Sequence, residues 1–209
     1  MHKVVDQTPE PRDVVVIGGS AGGLESLSTL LEQLPEHFPA IVLAVLHRGV
    51  HRESHLQAIL RRHCKLPVII PYEGEALRKG VCYIGLPDRH LVIGPGLRAR
   101  LIPDGFYKAH NVDALFSSAA RHAGSRVLGV VLSGLNKDGT EGLVAIKEAG
   151  GMTLVQLPEE AGYPDMPHNA IKYDGNIDFV APVKGLAIEL CRLIRDKTPD
   201  PANAGVAPQ

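Results

Sequence analysis

The chain has 209 residues, 44% of them hydrophobic and 22% charged, a balance that fits one globular domain with a substantial core and excludes a fibrous or disordered chain. Lys and Arg number 22 against 23 Asp and Glu, so no global field recruits nucleic acid or an anionic membrane. Cys64, Cys82 and Cys191 are odd in number and scattered, which argues for reduced thiols and not a disulfide framework. With no signal-peptide pattern at the start and no run of transmembrane length, a cytoplasmic chain without direct membrane insertion is expected.

Residues 1–12 are polar and read as a loose leader, residues 13–195 as one catalytic-type domain, and residues 196–209 as a Pro-rich tail too polar to pack. Val14-Val15-Val16-Ile17 predicts a buried strand, and Leu24, Leu27, Leu30, Leu31 and Leu34 recur at helical spacing. Between them lies Gly18-Gly19-Ser20-Ala21-Gly22-Gly23, which satisfies the G-x-S-x-G pattern of a nucleophile elbow. Read as a dinucleotide-binding turn the stretch fails, because Ser20 stands where G-x-G-x-x-G needs glycine; no Gly-Lys-Ser/Thr closes a phosphate loop either. An ordinary Gly-rich turn with a helix-capping Ser stays open on the motif alone.

Phe38 to Leu46 is a second continuously apolar run and ends at His47. A helix from about Arg52 to His63 and a short strand Pro67–Ile70 follow. Val81–Ile84, His90–Ile93 and Leu97–Leu101 alternate between Pro- and Gly-rich turns and predict antiparallel hairpins at an edge of a parallel sheet. A helix is expected over Val112–Ala123 with Asn111 as its N-cap, then a buried strand Val127–Leu132 that stops at Ser133-Gly134-Leu135-Asn136-Lys137-Asp138-Gly139 before a helix through Ala149. Strands at Met152–Gln156 and Ile177–Val180, a helix near Met166–Tyr173 and a last helix over Pro182–Ile194 complete the chain. The class expected is α/β, a mostly parallel, doubly wound, Rossmann-like sheet with helices on both faces and an antiparallel hairpin at one edge.

In such sheets ligands bind beyond the carboxyl ends of the strands, where three separate strands deliver Ser20, His47 and Asp138. A serine hydroxyl is a poor nucleophile until an imidazole takes its proton, and the imidazole needs a carboxylate to fix its tautomer and stabilise its cation. Each residue alone has a plainer reading: a helix cap, a backbone-bonded ring, a turn. His47, His51 and His55 are spaced by four, but a zincin needs Glu directly after the first of its two histidines, and Arg52 follows His51. No metal or cofactor is expected.

Taken together the motifs resemble the catalytic domain of the chemotaxis protein-glutamate methylesterases of CheB type, over about Asp13 to Ile194. The matching pieces are Ile17 to Gly23, the strand ending in His47, Tyr83 to His90, Asn111 to Ser118, Leu132-Ser133-Gly134 with Asp138-Gly139, and Met166 to Ile171. The resemblance implies a Ser20–His47–Asp138 triad and an oxyanion held by the N–H of Ala21, in the turn with Gly22, and a second donor near Leu135. It also implies hydrolysis of glutamate γ-methyl esters, with deamidation of Gln as a related reaction, on a methyl-accepting chemotaxis-type receptor. The family's receiver domain is expected to be absent, since a dozen residues precede the first strand; a separate receiver-domain or methyltransferase partner would then supply control. The chain departs from the family at Ala21 for Thr, Asn136 for Gly, Ala109-His110-Asn111 for Arg-Pro-Ser, and in lacking the Pro and Phe after His47. These departures motivate a competing class, a non-catalytic docking domain on the same fold.

Overall fold

The computed structural model describes residues 11–47, 55–103, 110–174 and 177–195. Through them run β1 (Val14–Gly19), α1 (Gly23–Gln33), β2 (Ile41–Leu46), α2 (Leu56–His63), β3 (Val68–Ile69), β4 (Val81–Ile84), β5 (Arg89–Gly94), β6 (Arg98–Pro103), α3 (Asn111–Ala123), β7 (Val127–Val131), α4 (Thr140–Glu148), β8 (Met152–Gln156), α5 (Asp165–Asp174), β9 (Phe179–Ala181) and α6 (Val183–Arg195). Seven strands form one sheet in the order β3-β4-β2-β1-β7-β8-β9, with every neighbouring pair parallel.

β1 is buried along its whole length because both of its faces are covered, which is why it reads as an unbroken apolar run. Val15 and Ile17 pack into a core with Leu27 and Leu30 of α1, Leu60 of α2 and Leu190 of α6. Val14 and Val16 point the other way, into a core with Phe116 of α3, Ile146 of α4 and Leu91 of β5. This alternation is the period-two geometry of a strand. The chain leaves β1 toward β2 on one side and later returns to β7 on the other, so the crevice at the carboxyl ends of β1, β2 and β7 is the switch point where α/β proteins bind ligands.

Two local expectations change. Val81–Ile84, grouped with the hairpin strands, is instead a parallel strand between β2 and β3. Four residues are too few for alternation to reveal which face is covered, and all four are buried here. The hairpin is β5 with β6, a two-stranded antiparallel sheet of its own whose Leu91 and Ile93 pack with α3 in the second core. The start proposed for the helix after His47 falls outside the described residues; the helix is seen from Leu56. The leader, apart from its last two residues, and the tail also lie outside.

At the amino ends of the strands Asp13 is 5% exposed. Arg126 donates to both its oxygens, Nε to Oδ1 at 2.7 Å and Nη2 to Oδ2 at 2.9 Å, and Lys79 Nζ lies 2.7 Å from Oδ2. Burial pushes its carboxyl pKa up, but Arg126 and Lys79 outweigh that, and it sits below the usual carboxylate value.

Candidate active site

Ser20 occupies the turn between β1 and α1. Gly22, the N-cap of α1, has φ 69, a left-handed conformation that glycine adopts without the clash a Cβ would bring. The loop after β7 comes very close: Ser20 N–H donates to Ser133 O at 3.0 Å, and a Cβ on Gly134 would stand 2.9 Å from the Ser20 Cβ. Glycine at 134 is therefore a packing requirement for bringing two strand ends against one hydroxyl. The N–H groups of Ala21 and Leu135 have no acceptor among the described residues, which leaves them available to a developing oxyanion at the positive end of α1.

That second loop is pinned by a buried serine. Ser133, 0% exposed, donates its N–H to the Gln156 side-chain oxygen Oε1 at 2.8 Å. Its hydroxyl donates to Ala21 O at 2.9 Å and accepts from Tyr163 N–H at 3.0 Å. Gly134 N–H donates to Tyr163 O and Met166 N–H to Gly134 O, both at 2.9 Å. Ser133 thus ties the turn that carries Ser20, the end of β7 and the approach to α5 into one unit. The sequence shows Ser133 only as part of a motif, without this role; its signal is a polar residue ending a run of six apolar or small ones, Val127 to Leu132.

His47 follows β2 directly. Its N–H donates to Gly19 O at 2.9 Å, extending the β1–β2 ladder in which Gly19 pairs Leu46, so the backbones of Ser20 and His47 emerge side by side. The His47 side chain is exposed.

Asp138, 3% exposed, accepts Val112 N–H on Oδ2 and Asp113 N–H on Oδ1, each at 3.0 Å. These are first-turn amides of α3, which has no side-chain cap of its own. The cap expected from Asn111 is supplied from 26 residues away instead, and Asn111 is the first helical residue. Asp113 returns the service: its Oδ1 accepts Gly142 N–H at 2.8 Å, in the first turn of α4, the helix that Asp138 precedes. Two carboxylates cap each other's helices, where a helix dipole favours negative charge. Burial raises the Asp138 pKa; the two amides pull it down, neighbouring Asp113 adds to the rise and His110 opposes it, leaving it at about 6.

The loop before Asp138 accommodates an asparagine at 136. Asn136 has φ 84, a region in which asparagine is the best tolerated residue after glycine. Its Oδ1 accepts Asp138 N–H at 2.7 Å, and Asn169 of α5 donates Nδ2 to its carbonyl at 2.7 Å.

Ser20, His47 and Asp138 therefore stand on one rim, carried by the ends of β1, β2 and β7. Among the described residues the three side chains make no hydrogen bond to one another; resting enzymes commonly tighten such contacts only with substrate bound. His110, Asp113 and Asp138 offer ligand atoms within 4.8 Å of one another, but the capping roles account for both carboxylates, and no ion is assigned. Among the described residues no helix is long and apolar enough to cross a membrane.

The chain matches the CheB methylesterase family over residues 15–190. It is 37% identical over 189 residues to protein-glutamate methylesterase/protein-glutamine glutaminase 5 of Myxococcus xanthus, covering 88% of this chain and 54% of that protein. With a putative protein-glutamate methylesterase/protein-glutamine glutaminase of Leptospira interrogans it shares 31% identity over 189 residues, 87% of this chain and 94% of that one. The crystal structure of the Thermotoga maritima CheB methylesterase catalytic domain superposes with a TM-score of 0.80 at 31% identity, covering 87% of this chain and 98% of that one. The chain spans about half the length of the Myxococcus relative and of a second one from Anaeromyxobacter dehalogenans. By its matched span, its fold and its relatives, the chain belongs to the CheB methylesterase family.

Proposed function

We propose that the chain hydrolyses γ-methyl esters of glutamate side chains on a chemotaxis-type receptor in the cytoplasm, with deamidation of Gln as a second reaction of the same site. The observation that carries this is Ser20, on a glycine-flanked strand-to-helix turn against Ser133 and Gly134, with the His47 backbone hydrogen-bonded to the residue before it. Ser20 Oγ attacks the ester carbonyl as His47 removes its proton. The oxyanion is held by the N–H groups of Ala21 and Leu135. Collapse expels methoxide, which takes the proton back from His47 and leaves as methanol; water, activated by the same imidazole, then releases glutamate from Ser20. Asp138 orients His47, and a pKa of about 6 leaves it mostly ionised at neutral pH, as that role requires.

The docking-domain alternative rests on the departures from the family at Ala21, Asn136, Ala109-His110-Asn111 and after His47; at one of them, Asn136, the side chain braces the loop by accepting Asp138 N–H. Two measurements test the proposal on the purified chain: labelling by a fluorophosphonate, expected at Ser20, and methanol release from a peptide bearing a glutamate γ-methyl ester. Labelling at a different serine, or none, overturns the nucleophile assignment. Control by a separate receiver-domain or methyltransferase partner is part of the same proposal, and an unchanged rate on adding such partners would remove it.

A further inference from the structure

Six large hydrophobic side chains are exposed among the described residues, and two of them, Leu135 at 48% and Tyr163 at 45%, flank the nucleophile. Leu135 follows Gly134, whose Cα faces Ser20. The ring of Tyr163 lies against the same turn, its Cδ2 3.1 Å from where a Gly22 Cβ would stand. Its residue is held through N–H to the Ser133 hydroxyl at 3.0 Å and through its carbonyl to Gly134 N–H at 2.9 Å. An aromatic side chain on a pinned backbone, left half-exposed against the turn that carries Ser20, gains by burial against an apolar part of the substrate.

The polar groups around the ring point the same way. The carbonyls of Ala21, Ser133, Gly134 and Tyr163 already accept, from the Ser133 hydroxyl, Ser20, Met166 and Gly134 respectively. A carboxamide brings two N–H donors to this wall and must share carbonyls that each already hold a donor, and a desolvated donor with a poor partner is costly. A methyl ester brings a methyl group that needs no acceptor. Building on the esterase reading above, we propose that Tyr163 is a specificity-determining residue that packs on the leaving methoxy group and selects the ester over the amide.

The test uses two peptides of one sequence, one with glutamate γ-methyl ester and one with Gln at the same position. Methanol and ammonia release are followed with wild type, Tyr163→Ala and Tyr163→Phe, and fluorophosphonate labelling of Ser20 serves as a measure of the intact nucleophile. Tyr163→Ala should lower kcat/KM for the ester about tenfold, mainly through KM, change the amide reaction less than about twofold, and label at the wild-type rate. Tyr163→Phe should restore the ester reaction, since the ring and not its hydroxyl makes the wall. An equal loss on both peptides, an unaffected ester reaction, or failure of Phe to rescue overturns the selectivity role and leaves the esterase reading standing. Wild type that labels at Ser20 yet releases no methanol overturns the esterase reading itself, and this inference with it.

Discussion

Asp13 and Asp138 are both buried, at opposite ends of the central strands, and their environments are inverted. Asp13 is met by a guanidinium and an ammonium, and its carboxyl is held below the usual range. Asp138 is hydrogen-bonded by two backbone amides, with Asp113 and His110 nearby working in opposite directions, and burial lifts it to about 6. The first is an anion locked by permanent cations, a device for joining the chain's start to the strand that begins at Val127. The second is a carboxylate whose burial is only partly compensated until a further cation comes beside it, and in the proposed mechanism the imidazolium of His47 would be that cation. The foot of the sheet is built to stay charged; the rim is built to respond.

The sharpest way to break this contrast is at Ser20. Ser20→Ala should remove fluorophosphonate labelling and lower methanol release at least about a thousandfold, with stability changed by less than about 1 kcal/mol, because a turn hydroxyl carries little of the core. A large loss of stability would show that the rim, too, is structural. Asp13→Asn should do the reverse. It strands Arg126 against a neutral partner, which for a buried pair costs about 3 kcal/mol, while kcat/KM stays within about twofold; urea unfolding and methanol release measure the two.

Asp138→Asn should lower kcat about a hundredfold with KM little changed, since an amide can hold the wrong imidazole tautomer. Acidification should likewise depress wild-type activity through about pH 6 as Asp138 takes a proton. The stability signs separate the two aspartates. Asp138, raised above its unfolded value of about 3.9, contributes stability that is full below that value and lost as pH rises through about 6. Wild type should therefore gain about 2 to 3 kcal/mol on the Asp138→Asn variant between pH 7 and pH 4. Asp13 contributes stability that is present above about 3.9 and lost as pH falls through its lowered value. The Asp13→Asn comparison should stay flat over the same window and close only below it. Identical pH profiles would erase the distinction. The smallest effect is expected at Asn136: glycine there removes a positive-φ penalty and the brace on Asp138 together, so stability should move by less than about 0.5 kcal/mol and activity by less than about twofold.

What could be read in advance follows from how local each cause is. β1, β2 and β7 announce themselves as apolar runs because both faces of a parallel sheet are covered, and their ends put Ser20, His47 and Asp138 on one rim. The role of β4 was hidden because a four-residue strand has too little pattern to separate parallel from antiparallel. The cap of α3 was assigned to Asn111 because capping is judged from neighbours in sequence, whereas Asp138 reaches it only through the fold. The role of Ser133 was hidden for the same reason: its partners Ala21, Gln156 and Tyr163 come from three different segments. Asp113 was quoted as part of a motif without a role, and the reciprocal bond to Gly142 is what supplies one.

The exchanged caps of α3 and α4 have a consequence for hydrogen exchange. The amides of Val112 and Asp113 are guarded by Asp138, and that of Gly142 by Asp113, so neither helix can fray at its start without releasing the other's guard. Protons that elsewhere would wash out independently, as helix termini usually do, should exchange here as one cooperative unit. Each such opening also carries Asp138 away from the rim. The deuterium uptake of three backbone amides would then report how often the site is dismantled, in a chain that is otherwise fully folded.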